Sequence, residues 1–200
     1  IYDRVYGEQK IEEDVLVELI KTSEMQRLKR ISQFGMPDEY YHKKGFSRYE
    51  HSVGVFLLVR LLGGSLKEQI VGLLHDTSHT AFSHVVDWVI GDPNKEDYQD
   101  NRHLEFIRNS FIADILERNG FNIEEIADLH SFHLVDYDAP DLCADRLDYT
   151  LREIALERAF DDVKVLDKSG TLSIQKSQTK TQGLSDIKKI IQGLIVHNGK

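Results

Sequence analysis

Apolar residues in the first 160 positions recur mainly at helical spacing. Residues 14–21 read DVLVELIK and place their apolar side chains three or four positions apart, on one side of a helix. The same periodicity predicts further helices over residues 22–35, 49–64, 65–76, 103–120, 122–130 and 139–160.

Capping residues mark several of these helix starts. Thr22 precedes the second predicted helix, and Ser65 with Glu68 has the spacing of a capping box. Asn122 stands three residues before Glu125 in the same arrangement. Because these side chains satisfy free backbone N–H groups, they support the predicted boundaries.

The pattern changes after residue 160. Apolar and polar residues alternate on both sides of DKSG, which predicts a β-hairpin, and residues 185–198 have the pattern of a short helix. We therefore expect an all-α helical bundle in residues 1–160. Residues 161–200 are expected to form a small C-terminal β-hairpin appendage, or the start of a longer C-terminal region.

Composition and charge narrow the function classes. The 200 residues carry 34 acidic and 25 basic side chains, for a formal charge of −9. This balance argues against a nucleic-acid binder, whose surface is usually basic. An anionic substrate would need local arginine, lysine or a metal ion to overcome the repulsion.

Further features of the sequence concern the location and extent of the chain. The single cysteine, Cys143, excludes an internal disulfide and suits a reducing compartment, so we expect a cytoplasmic protein. The longest apolar run, residues 53–64, is interrupted by Arg60 and too short to cross a membrane. No signal peptide is recognisable. The first residue is Ile1 rather than Met, which fits a piece of a longer protein.

Residues 73–87, LLHDTSHTAFSHVVD, concentrate histidine and aspartate directly after an apolar run. On one continuous helix, His75, Asp76, His79 and Asp87 would share a broad face and His84 would point away. Either His84 is uninvolved or the helix breaks within TSHTAFS. The hydroxyl residues favour a break, because they compete for backbone hydrogen bonds.

Imidazole and carboxylate groups together suit a divalent first-row metal ion. His51 is the best further ligand on the N-terminal side, where polar SRYEH meets an apolar helix. Asp145 is the best on the C-terminal side, on a predicted helix face shared with Asp148, Tyr149 and Arg152. Taken singly, each feature also fits packed or solvated histidines and an ordinary salt-bridged helix.

In chain order the candidate ligands read H…HD…D, which resembles the HD-domain metal-dependent phosphohydrolases. Within that superfamily the chain is most similar to the deoxynucleoside triphosphate triphosphohydrolase branch. The similar segments are IYDRVYG, TSEMQRLKRISQFG, SRYEHSVGV, HDTSHTAFSH and ADRLDYTLRE. The resemblance fades after about Phe160 and implies an HD-domain helical bundle in residues 1–160.

The resemblance also implies roles for individual residues. The implied metal ligands are His51, His75, Asp76 and Asp145. The implied catalytic group comprises His103, Asp87 as the acid that orients it, and the phosphate-path histidines His79 and His84. The implied substrate contacts are Arg48 and Arg146 at phosphate, Tyr149, Gln33, Phe34 and Glu153 at sugar and base.

The implied activity is hydrolysis of a deoxynucleoside triphosphate to nucleoside and triphosphate. One divalent ion (Mg, Mn, Fe, Ni or Zn) would be the cofactor and a nucleotide the substrate, with a homo-oligomer as a compatible assembly. Three alternatives stay open: a nucleotide monophosphatase, a two-metal phosphodiesterase that recruits His79, His103 or His130, and a nucleotide-binding regulatory module without turnover.

Four residues in these motifs depart from the family pattern. Ser78 and Ala81 replace the glycine and proline of H-D-x-G-H-x-P-F-S-H, so we expect a differently shaped loop. Glu153 stands where a sugar-sensing aspartate is usual, and Leu104 follows His103 where the family often has glutamate.

Overall fold

The computed structural model describes residues 1–40, 45–90, 98–137 and 141–156, and the backbone of two strands further on. The side chains of Asp38 and His84 are outside this description. The α-helices within these residues are α1 (Asp14–Lys21), α2 (Ser23–Arg27), α3 (Arg48–Leu61), α4 (Leu66–Leu74), α5 (Tyr98–Arg108), α6 (Phe111–Arg118), α7 (Ile123–Ala127) and α8 (Ala144–Leu156). Short 3-10 helices occupy Leu28–Arg30, Asp38–Tyr40, Ser83–Trp88 and Leu129–Ser131.

Helix α3 lies at the centre of the helical part. All nine residues from His51 to Val59 are buried, so this helix has protein on nearly every side. It packs most extensively against α4 and next against α8. The predominantly helical architecture predicted for residues 1–160 is confirmed in the part of the chain that the structure describes.

The predicted helix caps are confirmed. The Thr22 side chain accepts from Met25 N, and the Asn122 side chain accepts from Glu125 N. Ser65 and Glu68 form a reciprocal capping box at the start of α4. A second box, formed by Ser47 and Glu50, begins α3 and was not predicted.

Several predicted helix boundaries were wrong, and the first is the start of α5, which lies at Tyr98 rather than at residue 103. Helix α2 ends at Arg27 rather than near residue 35, because the chain then pairs at an isolated bridge between Ser32 and Ser47. The single helix predicted over residues 103–120 is two helices, and the Ser110 side chain caps the second by accepting from Ile112 N. Helix α8 begins at Ala144 rather than near residue 140.

The segment after α4 settles the choice between a continuous and a broken helix. Helix α4 ends at Leu74, and the Thr77 hydroxyl donates to Leu74 O at 2.6 Å. The hydroxyl therefore occupies a carbonyl that a continuing helix would use, as expected for residues of this type. The chain turns through residues 75–82 before the 3-10 helix Ser83–Trp88.

Two antiparallel strand pairs complete the elements. The pair β1 (Tyr2–Asp3) and β2 (Gly7–Glu8) forms an N-terminal hairpin that the sequence did not predict. The pair β3 (Val163–Leu166) and β4 (Leu172–Gln175) flanks residues 167–171, which lie outside the described residues. The C-terminal appendage as a unit, its short helix and the division at residue 160 stay predictions.

The structure bears on the expected absence of a membrane span and on the state of Cys143, whereas the cytoplasmic location stays a prediction. Among the described residues, no helix combines the length and the apolar character that a membrane span requires. Cys143 is a free, buried cysteine.

Gly54 allows α3 and α8 to approach each other. A Cβ atom built at this position would lie 1.9 Å from Arg152 Nη2 and 2.1 Å from Asp148 Oδ1. We therefore expect Gly54→Ala to lower the free energy of unfolding by about 1–3 kcal/mol, as overpacking of a filled core does. Urea denaturation monitored by circular dichroism measures this difference.

Gly72→Ala is the matched control for that substitution. Gly72 is also a helical glycine at the α3–α4 contact, but its added Cβ would meet no atom closer than 3.3 Å. Its higher helix propensity offsets small adjustments, so we expect a change within about 1 kcal/mol. Equal losses in the two variants would contradict the assigned role of Gly54.

Candidate metal centre

Three predicted ligands meet where α3 passes the end of α4. The ligand atoms of His51, His75 and Asp76 all lie within 4.8 Å of one another, and all three residues are buried. His51 comes from the first turns of α3, whereas His75 and Asp76 follow the last residue of α4. The packing of α3 on α4 thus brings together residues that are distant in sequence.

The fourth predicted ligand, Asp145, reaches the same place from α8. Its Oδ1 lies 2.7 Å from His51 Nε2 and 3.6 Å from His75 Nε2. Its side chain is one-third exposed, so it stands at the solvent side of the other three. Asp145 also lies near Asp136 and Cys143, whose donor atoms group with its own within 4.8 Å.

The two histidines present the same ring nitrogen to the centre. His75 Nδ1 donates to Gly72 O at 2.8 Å, and His51 Nδ1 donates to Asp148 Oδ2 at 2.8 Å. Each Nε2 then faces the centre, and the two Nε2 atoms are 3.4 Å apart. This is the tautomer that a metal-binding histidine requires, with the second nitrogen held by an acceptor.

The field at the centre favours a positive charge. Burial alone would lower the pKa of His51, but Asp145 and Asp148 outweigh it and raise the pKa to about 10. For His75 burial is likewise outweighed, by Asp76 and Asp145, and the pKa is raised. Two nitrogen and two oxygen donors in a cation-stabilising field fit a divalent metal ion.

Asp76 is held from its other side by a buried arginine. Arg48 Nη1 donates to Asp76 Oδ2 at 2.7 Å, and Arg48 Nε donates to Ser83 Oγ at 2.9 Å. Burial raises the pKa of Asp76, but Arg48 and the neighbouring histidines outweigh it and hold the pKa well below its usual value. Ser83 meets Arg48 from a left-handed backbone conformation, with φ at 51°. Such a conformation costs energy in a non-glycine residue and occurs often at functional sites.

The loop after His75-Asp76 is fixed by Arg27. Its Nη2 donates to the backbone oxygens of Thr77 and His79, the latter at 2.9 Å. His79 is buried, and its Nε2 lies 3.1 Å from Asp76 Oδ1. The loop therefore places His79 directly beside the candidate ligand Asp76. Its role along a phosphate path stays a prediction.

His103 lies behind this loop on α5. It is buried, its Nδ1 lies 3.0 Å from Ser78 Oγ, and its Nε2 has no hydrogen-bond partner among the described residues. Asp87, predicted to orient His103, is buried and accepts from Tyr98 N at the start of α5. Asp87 thus holds the helix that carries His103. His84 lies on the 3-10 helix Ser83–Trp88.

An aromatic wall made by Phe34, Phe46 and Tyr149 borders the centre. Its ring centroids are 5.7 to 6.3 Å apart in edge-to-face arrangements, and Phe46 lies 6.4 Å from the His51 ring. The Tyr149 hydroxyl donates to Glu153 Oε1 at 3.3 Å. The structure therefore gathers three of the predicted sugar and base contacts, Phe34, Tyr149 and Glu153.

The remaining predicted substrate contacts differ in their burial and in the hydrogen-bond partners that they already have. Gln33 is half-buried, and its buried Oε1 has no hydrogen-bond partner among the described residues. Arg146 donates to Asp141 O and is half-buried. Arg48 is 2% exposed and bonded to Asp76 and Ser83, so a phosphate would have to compete with these partners.

Comparison with known proteins identifies the family. The family model described as "HD domain" matches residues 48–158, more than half of the chain. The chain is 42% identical over its whole length to the uncharacterized protein YdhJ of Bacillus subtilis, of which it covers 54%. This chain belongs to the HD-domain family.

Two named relatives narrow the comparison. Over 76% of the chain, it is 40% identical to the metal-dependent phosphohydrolase cns2 of Cordyceps militaris, covering 44% of that protein. Over 36% of the chain, it is 40% identical to the deoxynucleoside triphosphate triphosphohydrolase SAMHD1 of Xenopus laevis, covering 14% of it. The chain thus spans about half the length of the first two relatives.

Family and geometry agree on the cofactor. The HD domain includes all four predicted ligands, and the donor atoms of His51, His75 and Asp76 converge as a metal ion requires. The predicted dependence on a metal ion is confirmed, and which metal and how many ions stay predictions.

Sequence reasoning missed several residues that support the site. Ser83, Arg27 and Ser78 contact Arg48, the 75–79 loop and His103 respectively. Ser78 had a signal, because a serine in place of the family's glycine adds a hydroxyl at that position. Arg152 was predicted on the face of the candidate ligands, but it is fully buried and paired with Asp148 and Asp3.

We expect Asp76→Asn to strip the metal from the centre. The amide keeps the volume of the side chain but lacks the charge that binds the ion, and it leaves Arg48 without its buried counter-charge. Breaking a buried pair of this kind costs about 3–5 kcal/mol of stability. Elemental analysis after gel filtration and urea denaturation measure the two effects.

Asp114→Asn on the exposed face of α6 is the control, with unchanged metal content and stability. An Asp76→Asn protein that retains the wild-type metal content would show that the ion is held elsewhere.

Proposed function

We propose that this chain hydrolyses a phosphoester bond in a nucleotide, and that the substrate is a deoxynucleoside triphosphate cleaved to nucleoside and triphosphate. The observation that carries the proposal is the joint position of a four-residue metal site and an aromatic wall at one end of α3 and α8. The names of cns2 and SAMHD1 support the reaction class.

The metal ion supplies Lewis-acid chemistry, since a bound divalent ion lowers the pKa of water and neutralises phosphate oxygens. His51, His75, Asp76 and Asp145 would hold that ion, with Asp145 as the most exposed of the four. The remaining steps fall to the protein's own proton donors and acceptors.

His103 is the candidate for proton transfer. Burial, together with the nearby His75, lowers its pKa to about 4. The imidazole is therefore neutral at pH 7, and its Nε2, which has no hydrogen-bond partner in the described part of the chain, can accept a proton. His79, buried beside Asp76, is the second imidazole near the centre, and we propose that it lies along the phosphate path with His84.

The aromatic wall offers a surface for the nucleoside. Phe34 and Tyr149 supply apolar ring surface, and Gln33 Oε1 supplies an acceptor that nothing else described satisfies. A sugar hydroxyl is a suitable donor to that oxygen, because a buried acceptor without a partner costs about 1–3 kcal/mol. Tyr149 and Glu153 form a polar pair on the same side of α8.

Charge around the centre decides how a phosphate chain is held. The chain carries a formal charge of −9, so local cations must attract the anion. We propose Arg146, at the start of α8 next to Asp145, as the phosphate-contacting cation. Arg48 acts on phosphate only through Asp76, unless substrate binding draws it away from its buried partners.

The proposed triphosphohydrolase and its three alternatives differ in their products or in the number of metal ions that they need. A monophosphatase releases orthophosphate from a nucleoside monophosphate, and a two-metal phosphodiesterase needs a second ion. A regulatory module binds nucleotide and releases nothing, and a homo-oligomer is compatible with each of these. The test is to incubate the metal-loaded chain with deoxyribonucleotides and ribonucleotides and to identify the products by mass spectrometry.

Glu153→Asp tests the sugar contact within that experiment. Glu153 replaces a shorter acid of the family, so its carboxylate sits farther along or folds back to meet a 3′-hydroxyl. We expect the wild type to prefer deoxynucleotides, and Glu153→Asp to sharpen the ratio of kcat/KM values by about three- to tenfold, as one displaced hydrogen bond is worth roughly 0.5–1.5 kcal/mol. Equal rates on both sugars in both proteins reject this assignment.

His103→Ala tests the proton-transfer role. General acid–base loss typically lowers turnover by about 10²–10⁴-fold, and the metal content should be unchanged because His103 is not among the converging ligands. Steady-state kinetics and elemental analysis of the same preparation measure both. His133→Ala, at an exposed histidine with no assigned role, is the control. Loss of metal in His103→Ala would instead favour the two-metal phosphodiesterase.

A further inference from the structure

A row of buried polar groups joins the N-terminal hairpin to the metal ligand His51. It consists of Asp3 and Tyr6 from the hairpin segment, Arg152 and Asp148 from α8, and the His51 ring. All five residues are at most 6% exposed. Four of them have no predicted role in the chemistry, so their burial beside the centre requires an explanation.

Asp148 is the junction of this row. Its Oδ2 accepts from His51 Nδ1 at 2.8 Å and from Arg152 Nε at 2.7 Å. Its Oδ1 accepts from the Tyr6 hydroxyl at 2.7 Å. Three donors from three parts of the chain therefore fix the position of one fully buried carboxylate.

The carboxylate of Asp148 determines what His51 presents to the metal. Because Nδ1 donates to Asp148, the lone pair of the neutral ring is on Nε2, the atom 2.7 Å from the ligand Asp145. A carboxylate behind a metal-bound imidazole also makes the ring a stronger ligand and fixes its plane. Asp148 occupies that place for His51, as Gly72 O does for His75.

Asp3 connects the same row to the turn of the hairpin. Its Oδ2 accepts from Arg152 Nη2 at 2.7 Å. Its Oδ1 accepts from Val5 N at 2.8 Å and Tyr6 N at 3.0 Å, which closes the turn between β1 and β2. The conformation that satisfies the turn is therefore the one that places Asp3 and Tyr6 on Arg152 and Asp148.

A contribution to the stability of the fold does not by itself explain why these polar groups are buried together. Replacing buried ion pairs by apolar residues of similar size is often neutral or stabilising, because the charges lose their hydration. Here two carboxylates enclose one guanidinium whose Nη1 has no partner among the described residues. The hydrogen bonds of these groups lead through Asp148 to the His51 ring, as a positioning role requires.

We propose that the N-terminal hairpin is part of the metal centre, and that Asp3, Tyr6 and Arg152 are positioning residues that act through Asp148 on His51. This inference rests on the metal site of the proposed function. It assigns a role in metal affinity to residues that touch neither metal nor substrate.

The test is Mn²⁺ affinity of the full chain after chelator treatment, measured by isothermal titration calorimetry for Tyr6→Phe, Asp3→Asn and Asp148→Asn. Loss of a group behind a ligand typically weakens metal binding by about 10–100-fold, which we expect for Asp148→Asn. Tyr6→Phe removes one hydroxyl and should weaken binding by about three- to tenfold. Tyr2→Phe, at an exposed tyrosine of the same hairpin, is the control and should bind as the wild type does.

Three further measurements separate positioning from support of the fold. Urea denaturation in chelator gives the stability of the metal-free chain, and affinities are compared only for variants that are folded. The effect of Tyr6→Phe on Mn²⁺ affinity should disappear in an Asp148→Asn background, because both act through the same carboxylate. Rescue of affinity by Asp148→Glu beyond that of Asp148→Asn supports the role of the charge.

The outcomes distinguish this inference from the proposed function. Unchanged Mn²⁺ affinity in folded Tyr6→Phe, Asp3→Asn and Asp148→Asn overturns the inference and leaves the metal centre in place. A wild-type chain that binds no divalent ion overturns both. Wild-type binding with the expected variant effects, but without nucleotide hydrolysis, supports the inference and rejects the proposed activity.

Discussion

Charged side chains buried between α3 and α8 are the constraint on which the rest of the structure depends. A carboxylate or guanidinium removed from water is tolerated only when an opposite group stands at hydrogen-bond distance, so Asp148 and Arg152 fix the separation of the two helices. Gly54 leaves the space for them, and a side chain there would collide with both. His51, nearly one turn earlier on α3, then faces Asp145. Helix packing and ligand geometry therefore have a common cause.

The same physical arrangement recurs on the α4 side. Asp76 is paired with Arg48 as Asp148 is paired with Arg152, so two of the three acids close to the histidines have a buried guanidinium of their own. The arginines compensate the acids from behind and leave Asp145, the most exposed acid at the centre, facing solvent. A chain with an acidic surplus thereby keeps a preorganised cation site in which the deeply buried acids Asp76 and Asp148 are each paired with an arginine.

Periodicity and capping patterns predicted the helical core and most helix starts, because these are local properties of the chain. The break after Leu74 was also accessible from the hydroxyl residues that follow it. The N-terminal hairpin was not, since its turn is closed by Asp3 and its position by a partner on α8, and no local pattern shows such a pairing. Arg48 is the clearest difference at the site: its type suggested a phosphate contact, and only the fold shows it committed to Asp76.

The row of groups from Asp3 to His51 also bears on the order in which the molecule assembles. Its members come from the beginning of the chain, from α3 and from α8, so every bond in it between these parts closes a long loop. Contacts of this kind form after local helices, because the entropy of loop closure must be overcome first. The ion-binding geometry is consequently a late product of folding, and a nascent chain that has not yet produced α8 holds no complete set of ligands.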